Sequence, residues 1–190
     1  DDSDRLSREL RAIISSHHAL VESVSEQQLL DEVCRLICSE AHYRMAWVGY
    51  KADDSEQSIV PMAHSGHESG YLDQIHISWA ENERGSSPMG VAIRTGKTVH
   101  VEDFSADASV ALWRELAEER GYGSAIAVPL VDQDGLIFGG LAVYSAATGS
   151  FAPEEVQLFR QLARDLAFGI SVLCQRDLLR KSDSMFRAAF

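Results

Sequence analysis

Two apolar runs, SAIAVPLV at residues 124–131 and LIFGGLAVYS at 136–145, are separated by a short turn containing Asp134-Gly135. That dipeptide between such runs is a strong hairpin signal, because glycine reaches positive φ without steric cost. The pair commits the chain to a long antiparallel hairpin, on which the remaining segments have to pack.

Two further runs follow the same logic. YRMAWVGY (43–50) and SIVPMAHS (58–65), joined by the polar KADDSEQ, are expected to form another hairpin. Pro61 lacks the donor a ladder needs, so its strand is expected at an edge or at a bulge. QIHISW (74–79) and TVHVED (98–103) read as two more strands, for a sheet of five or six.

The helices announce themselves by caps and by apolar period. Ser25 with Gln28 three residues on is a capping-box pattern, and Leu29, Leu30, Val33, Leu36 and Ile37 give the helix behind it one apolar face ending near Glu40. Pro88 and Gly96 bracket a short helix. Leu112, Trp113, Leu116 and Ala117 mark another over 110–120, stopped by Gly121. A last helix begins at Pro153, with Phe151 and Val156 placed as a hydrophobic staple. Its stripe of Val156, Phe159, Leu162, Leu166, Ile170 and Leu173 is unbroken before Ser182, a length of some 40 Å or more. Upstream, Leu6, Leu10, Ile13, His17, Leu20 and Val24 recur at spacings of four and three, a coiled-coil seam that needs a partner, with His17 as a polar residue on it that sets the register, is partly exposed, or answers to pH near neutral. The fold class is α+β: a mainly antiparallel sheet packed with helices, with long N- and C-terminal helices.

Composition narrows the partners. Twenty-nine acidic against 17 basic side chains give a net charge of -12, which repels nucleic acid and anionic lipid. The longest apolar stretch, 125–131, is far short of a membrane span. Three cysteines and an acidic start without signal-peptide form point to a reducing, cytoplasmic setting without disulfides.

Taken in order, these segments resemble a GAF domain, the small-molecule-sensing fold of bacterial histidine kinases, diguanylate cyclases and phytochromes. The stretch PMGVAIRTGKTVHVED (88–103) is similar to the family's run of Pro, Gly, small residue, Thr-Gly, strand and Asp. YRMAWVGY, the pair GYGSAIAVPL and GLIFGGLAVYS, and FAPEEVQLFRQLARDLAFGI extend the resemblance over roughly residues 25–173. SDSMFRAAF (182–190) looks like the opening of a PAS domain. The implied organisation is a signalling and dimerisation helix over 1–24, the GAF domain over 25–175, and a linker helix with the start of a truncated PAS domain over 176–190. The implied setting is a multidomain signalling protein of the sensor-kinase, two-component type or of the diguanylate-cyclase, cyclic-di-GMP type.

No catalytic role is expected: GxSxG, HExxH, GxxxxGK[ST] and strand-borne GxGxxG do not occur, nor do the phosphoacceptor-histidine motif or GGDEF. The catalytic branch of the family, free methionine sulfoxide reductase, needs reactive cysteines around its pocket. Here Cys34 and Cys38 lie four apart on one helix and Cys174 on the last, as buried side chains would. Alignment on Val128-Pro129-Leu130 puts Leu112 and Trp113 where bilin-binding members carry a Cys-His pair, and the pattern of cyclic-nucleotide members finds no counterpart. His64, His67, His76 and His100 keep a haem-based redox or gas sensor as an alternative; no other metal site is assigned.

What remains is a pocket for an unidentified small molecule. Met45 and Trp47 share a strand face with Gly49, and the resemblance turns that face toward the pocket. Trp79, Phe104, Trp113 and Tyr122 fall in segments that supply its lid, with His64 and Ser124 as polar groups. The competing expectation is that these side chains fill the space themselves, leaving a ligand-free dimerisation and spacing module. In the leading reading the domain binds a small molecule or relays a signal, forms a homodimer through its terminal helices and passes the signal along them to an output domain.

Overall fold

The computed structural model describes residue 19 and residues 22–188. The expected coiled-coil seam, apart from Val24, therefore lies outside the described residues. The first described helix, α1 (Glu26–Ser39), starts as its sequence requires. The Ser25 Oγ accepts the Gln28 N–H at 3.2 Å, while Gln28 Oε1 reaches back to the Val24 N–H at 3.0 Å. The five expected apolar positions of α1 are all buried, and Cys34 joins them.

Five strands form one antiparallel sheet: β1 (Met45–Lys51), β2 (Ile59–Gly66), β3 (Val99–Val101), β4 (Ser124–Val131) and β5 (Ile137–Ser145), in the order β2-β1-β5-β4-β3. The β4–β5 hairpin supplies two of the three central strands, turning at Gly135 with φ +80 while the Asp132 carboxylate accepts the Asp134 and Leu136 N–H groups. β2 is an edge strand, and its register with β1 slips between Val48 and Gly49 so that Met62 is extra; Pro61 is thus both at the edge and beside a bulge.

The strand expected at 74–79 does not form. A short helix, α2 (Tyr71–Gln74), takes its first residue, and the rest joins the sheet margin through a single bridge, Ser58 to Ser78, flanked by Trp79 N–H to Gln57 O and Ile59 N–H to Ile77 O. The next outward-facing donor along β2 would be Pro61, which has none, so the ladder ends and the chain diverges from the edge.

After a 3-10 turn (Glu83–Ser86), α3 (Pro88–Thr95) runs from Pro88 to Gly96 in the left-handed region, as the sequence implies, with the Ser87 side chain accepting the Gly90 N–H at its start. The helix expected over 110–120 is divided: Ala108–Trp113 is 3-10, with Val110 off helical geometry, and only α4 (Arg114–Arg120) is α-helical. Leu112, placed on the buried stripe by its spacing, is exposed as a result. The closing helix α5 (Pro153–Ala188) has 36 residues, about 54 Å. At its start Phe151 packs on the rings of Tyr43 and Phe159. No described helix is long and apolar enough to cross a membrane.

The sheet carries a core on each face. Inner-face residues Ala46, Val48, Ile126, Val128, Leu141 and Val143 meet α1 and the first half of α5. Outer-face residues Met45, Trp47, Ala125, Ala127, Ala142 and Tyr144 meet α3 and the segment 104–122. Small residues beneath α3 let it lie close: a Cβ on Gly140 would come within 2.4 Å of Met89 Sδ.

Candidate functional site

The outer face is where the sequence places a pocket, and its centre is packed. Tyr144 stands between Phe104, Tyr71 and Tyr122, with ring centroids 6.0, 5.7 and 4.7 Å away. Strand register sets Met45 opposite Tyr144 and Trp47 opposite Ala142. Met45, Trp47, Phe104, Trp113 and Tyr122 are therefore brought together as expected, all of them buried.

The polar atoms of this cluster are mostly spent on one another. The Tyr122 hydroxyl donates to the His67 carbonyl, and the hydroxyls of Tyr71 and Tyr144 pair. Burial, the largest influence on each, pushes all three phenols up. The Trp47 indole N–H is buried on the Tyr144 side, where it favours that phenolate, yet among the described residues no acceptor meets it in hydrogen-bonding geometry.

A guanidinium closes the cluster. Arg120, 8% exposed, donates to the carbonyls of Leu116, Glu68 and Ser69 at 2.9, 3.2 and 2.9 Å and lies over the Tyr71 ring at 5.5 Å. Arg44 Nε in turn donates to the Arg120 carbonyl at 2.9 Å. The loop before α2, where Ser69 and Gly70 both have positive φ, is thus pinned to the end of α4.

The other three expected residues sit apart. Ser124 is buried, but its hydroxyl donates to the Ala147 carbonyl at 2.6 Å. His64, opposite Trp47 across the β1–β2 ladder, is exposed at the sheet margin. Trp79 is half-buried, its indole N–H donating to the Ala52 carbonyl at 3.0 Å while Lys51 Nζ lies 4.8 Å over its ring. Sequence reasoning missed Tyr71, Tyr144 and Arg120. Alternation from Gly140 and Ala142 could have placed Tyr144 on the outer face; nothing local marks Arg120, whose acceptors on the pinned loop, Glu68 and Ser69, lie some fifty residues upstream.

Open space lies beside this cluster. Where the chain diverges from β2 it leaves a groove of about 990 Å³, with Trp47, Ile59, Pro61, Leu72, Ile75 and Ile77 along its floor and walls. Polar residues of the segments 55–58 and 82–84, with the exposed His76, form the rim.

The thiols face elsewhere. Cys34, Cys38 and Cys174 all belong to the inner-face side, on α1 and α5. Burial is the main cause that pushes each thiol up, Cys38 and Cys174 to about 11. The histidines at 64, 67, 76 and 100 are exposed, and no group of three or more potential metal ligands occurs among the described residues.

The sequence model of the family described as GAF domain matches residues 23–171. Among solved structures, the chain is similar to the GAF domain of a phosphoenolpyruvate-protein phosphotransferase from Coxiella burnetii (TM-score 0.73, 20% identity, covering 90% of this chain and 98% of that one). It is also similar to free methionine-R-sulfoxide reductase from Neisseria meningitidis in complex with its substrate (0.70, 18%, 88% and 91%) and to the nlh2 GAF domain of A. aeolicus in an inactive state (0.67, 12%, 88% and 98%). No curated protein matches the sequence.

Proposed function

Because the chain belongs to the GAF domain family, whose members are typically sensory or regulatory modules of signalling proteins, we propose that it relays a signal through α5 as a homodimer. The observation that carries this reading is the second half of that helix. Leu173 is its last buried residue, yet it continues to Ala188, about 22 Å farther. Over and beyond this boundary Phe168, Val172, Leu178, Leu179, Met185 and Phe186 face solvent. Exposed apolar side chains on such an arm gain by pairing with a second copy, which would bury them.

The start of the domain is tied to the same helix. Arg176 Nη2 donates to the Val24 carbonyl at 2.6 Å, and the Glu26 carboxylate bridges the Tyr50 hydroxyl and the Cys174 thiol, the latter at 3.4 Å. A shift of the segment leading into α1 is thereby felt on α5, as relay between terminal helices requires. The next module along α5 is of PAS type on the resemblance of residues 182–190, in a protein of sensor-kinase or cyclase type.

The module itself is non-catalytic in this reading. Its thiols lie behind the sheet, unlike the reactive cysteines that the reductase branch of the family needs at its pocket. Haem draws no support from the four exposed histidines. The packed outer face favours one companion reading, in which the lid space is filled by the protein's own rings and the domain acts as a spacer.

Sedimentation equilibrium tests the proposal. The protein is expected to be a dimer at micromolar concentration, and Leu179→Glu with Phe186→Glu to give a monomer with unchanged circular dichroism. A monomer before substitution, or a dimer after it, overturns the pairing of α5.

A further inference from the structure

We propose that the groove beside β2 binds a small organic cation with an apolar body, such as an aryl- or alkylammonium; this rests on the reading of the domain as a sensory module. The volume, about 990 Å³, is at the upper end of the roughly 300–1,000 Å³ of small-molecule sites. The floor is aliphatic with one indole edge, so desolvating an alkyl or aryl group there is favourable.

The rim selects the charge. One side is the segment 55–58, with Glu56; the other is 82–84, with Glu83 and Arg84. Two carboxylates thus stand against one guanidinium on the rim, and the exposed Asp53, Asp54 and Glu81, adjoining the lining segments in sequence, add charge of the same sign. The nearby cations are already engaged: Lys51 lies over Trp79, and Arg94 Nη1 donates to the carbonyls of Trp79, Ala80 and Gly85 under the loop. Asp54, next to the lining residue Ser55, accepts the Ser58 N–H at 2.8 Å, a bond that favours its charged form. A cleft with apolar walls and an excess of carboxylates concentrates cations and repels anions. The Lys51–Trp79 pair shows the same preference within the protein, an ammonium on an aromatic face.

Calorimetric titration with phenethylammonium, 2-phenylethanol and 3-phenylpropionate tests this, with tryptophan fluorescence as a second readout because Trp47 borders the groove. Phenethylammonium is expected to bind about tenfold more tightly than 3-phenylpropionate at low salt, with the gap narrowing at physiological ionic strength. Glu56→Gln with Glu83→Gln is expected to reduce cation affinity several-fold, and Arg84→Gln to raise it; these exposed side chains leave the melting temperature unchanged. Equal affinity for the three probes, preference for the anion, no saturable binding, or a cation preference indifferent to the Glu56 and Glu83 substitutions overturns the assignment. The same titration on the Leu179→Glu, Phe186→Glu protein separates the two ideas. Cation binding retained by a protein that never dimerises sinks only the relay through α5, and dimerisation without cation binding sinks only the groove.

Discussion

Tyrosine is the residue through which the outer face answers to pH. Tyr71, Tyr122 and Tyr144 share one cluster, Tyr50 is held against Glu26 on the other face, and burial is the first cause raising all four phenols. An unfolded tyrosine ionises near 10, while in the fold these groups keep their protons to higher pH. A folded-state value above the unfolded one means the contribution to stability is complete below pH 10 and is lost as pH rises past it. Tyrosinate absorbance is therefore expected to stay low until the chain unfolds in alkali, its rise coinciding with loss of far-ultraviolet ellipticity. A substantial rise while the ellipticity is still native would mean that the cluster admits water.

Among the elements, α5 is two helices in energetic terms. Leu166 is 0% exposed in the inner core, so Leu166→Ala is expected to cost about 2–5 kcal/mol in urea unfolding. Leu179 is 71% exposed, and Leu179→Ala is expected to change monomer stability by less than about 0.5 kcal/mol while weakening association. The expected apolar stripe ends at Leu173, as burial does, and its spacing continued meets Asp177, Arg180 and Ser184; the apolar residues beyond lie off that stripe, and apolar spacing says which face a side chain takes and not whether anything covers it. The same limit explains the other departures. Caps and turns were legible because they are local: Ser25, Pro88, Gly96 and Gly121 act within a few residues. Ile75 and Ile77 have the alternation of a strand and are buried like one, but their partner strand runs out of donors at Pro61, a tertiary fact. For the site, Met45, Trp47, Phe104, Trp113 and Tyr122 could be gathered in advance. That Tyr71 and Tyr144 complete the packing, and that open space lies to one side, depends on register and on loop path.

For the molecule as a whole, stability should reside in residues 23–173. Every buried residue of α5 lies at or before Leu173, and the contacts tying the N-terminal segment reach Cys174 and Arg176. Ending the chain after residue 176 is therefore expected to keep the melting temperature within a few degrees while removing self-association, measured by calorimetry and sedimentation on the same sample. A large drop in melting temperature would show that the arm supports the core.

The unbroken backbone of α5 carries orientation as well as distance. Each residue turns the helix by about 100°, so one residue inserted after Arg176 rotates everything beyond it by that angle, while seven bring it back to within about 20°. Ala188, the last described residue, is thus held at a fixed azimuth to the sheet. The length of this helix is a phase setting, to which a downstream domain would respond periodically rather than in proportion.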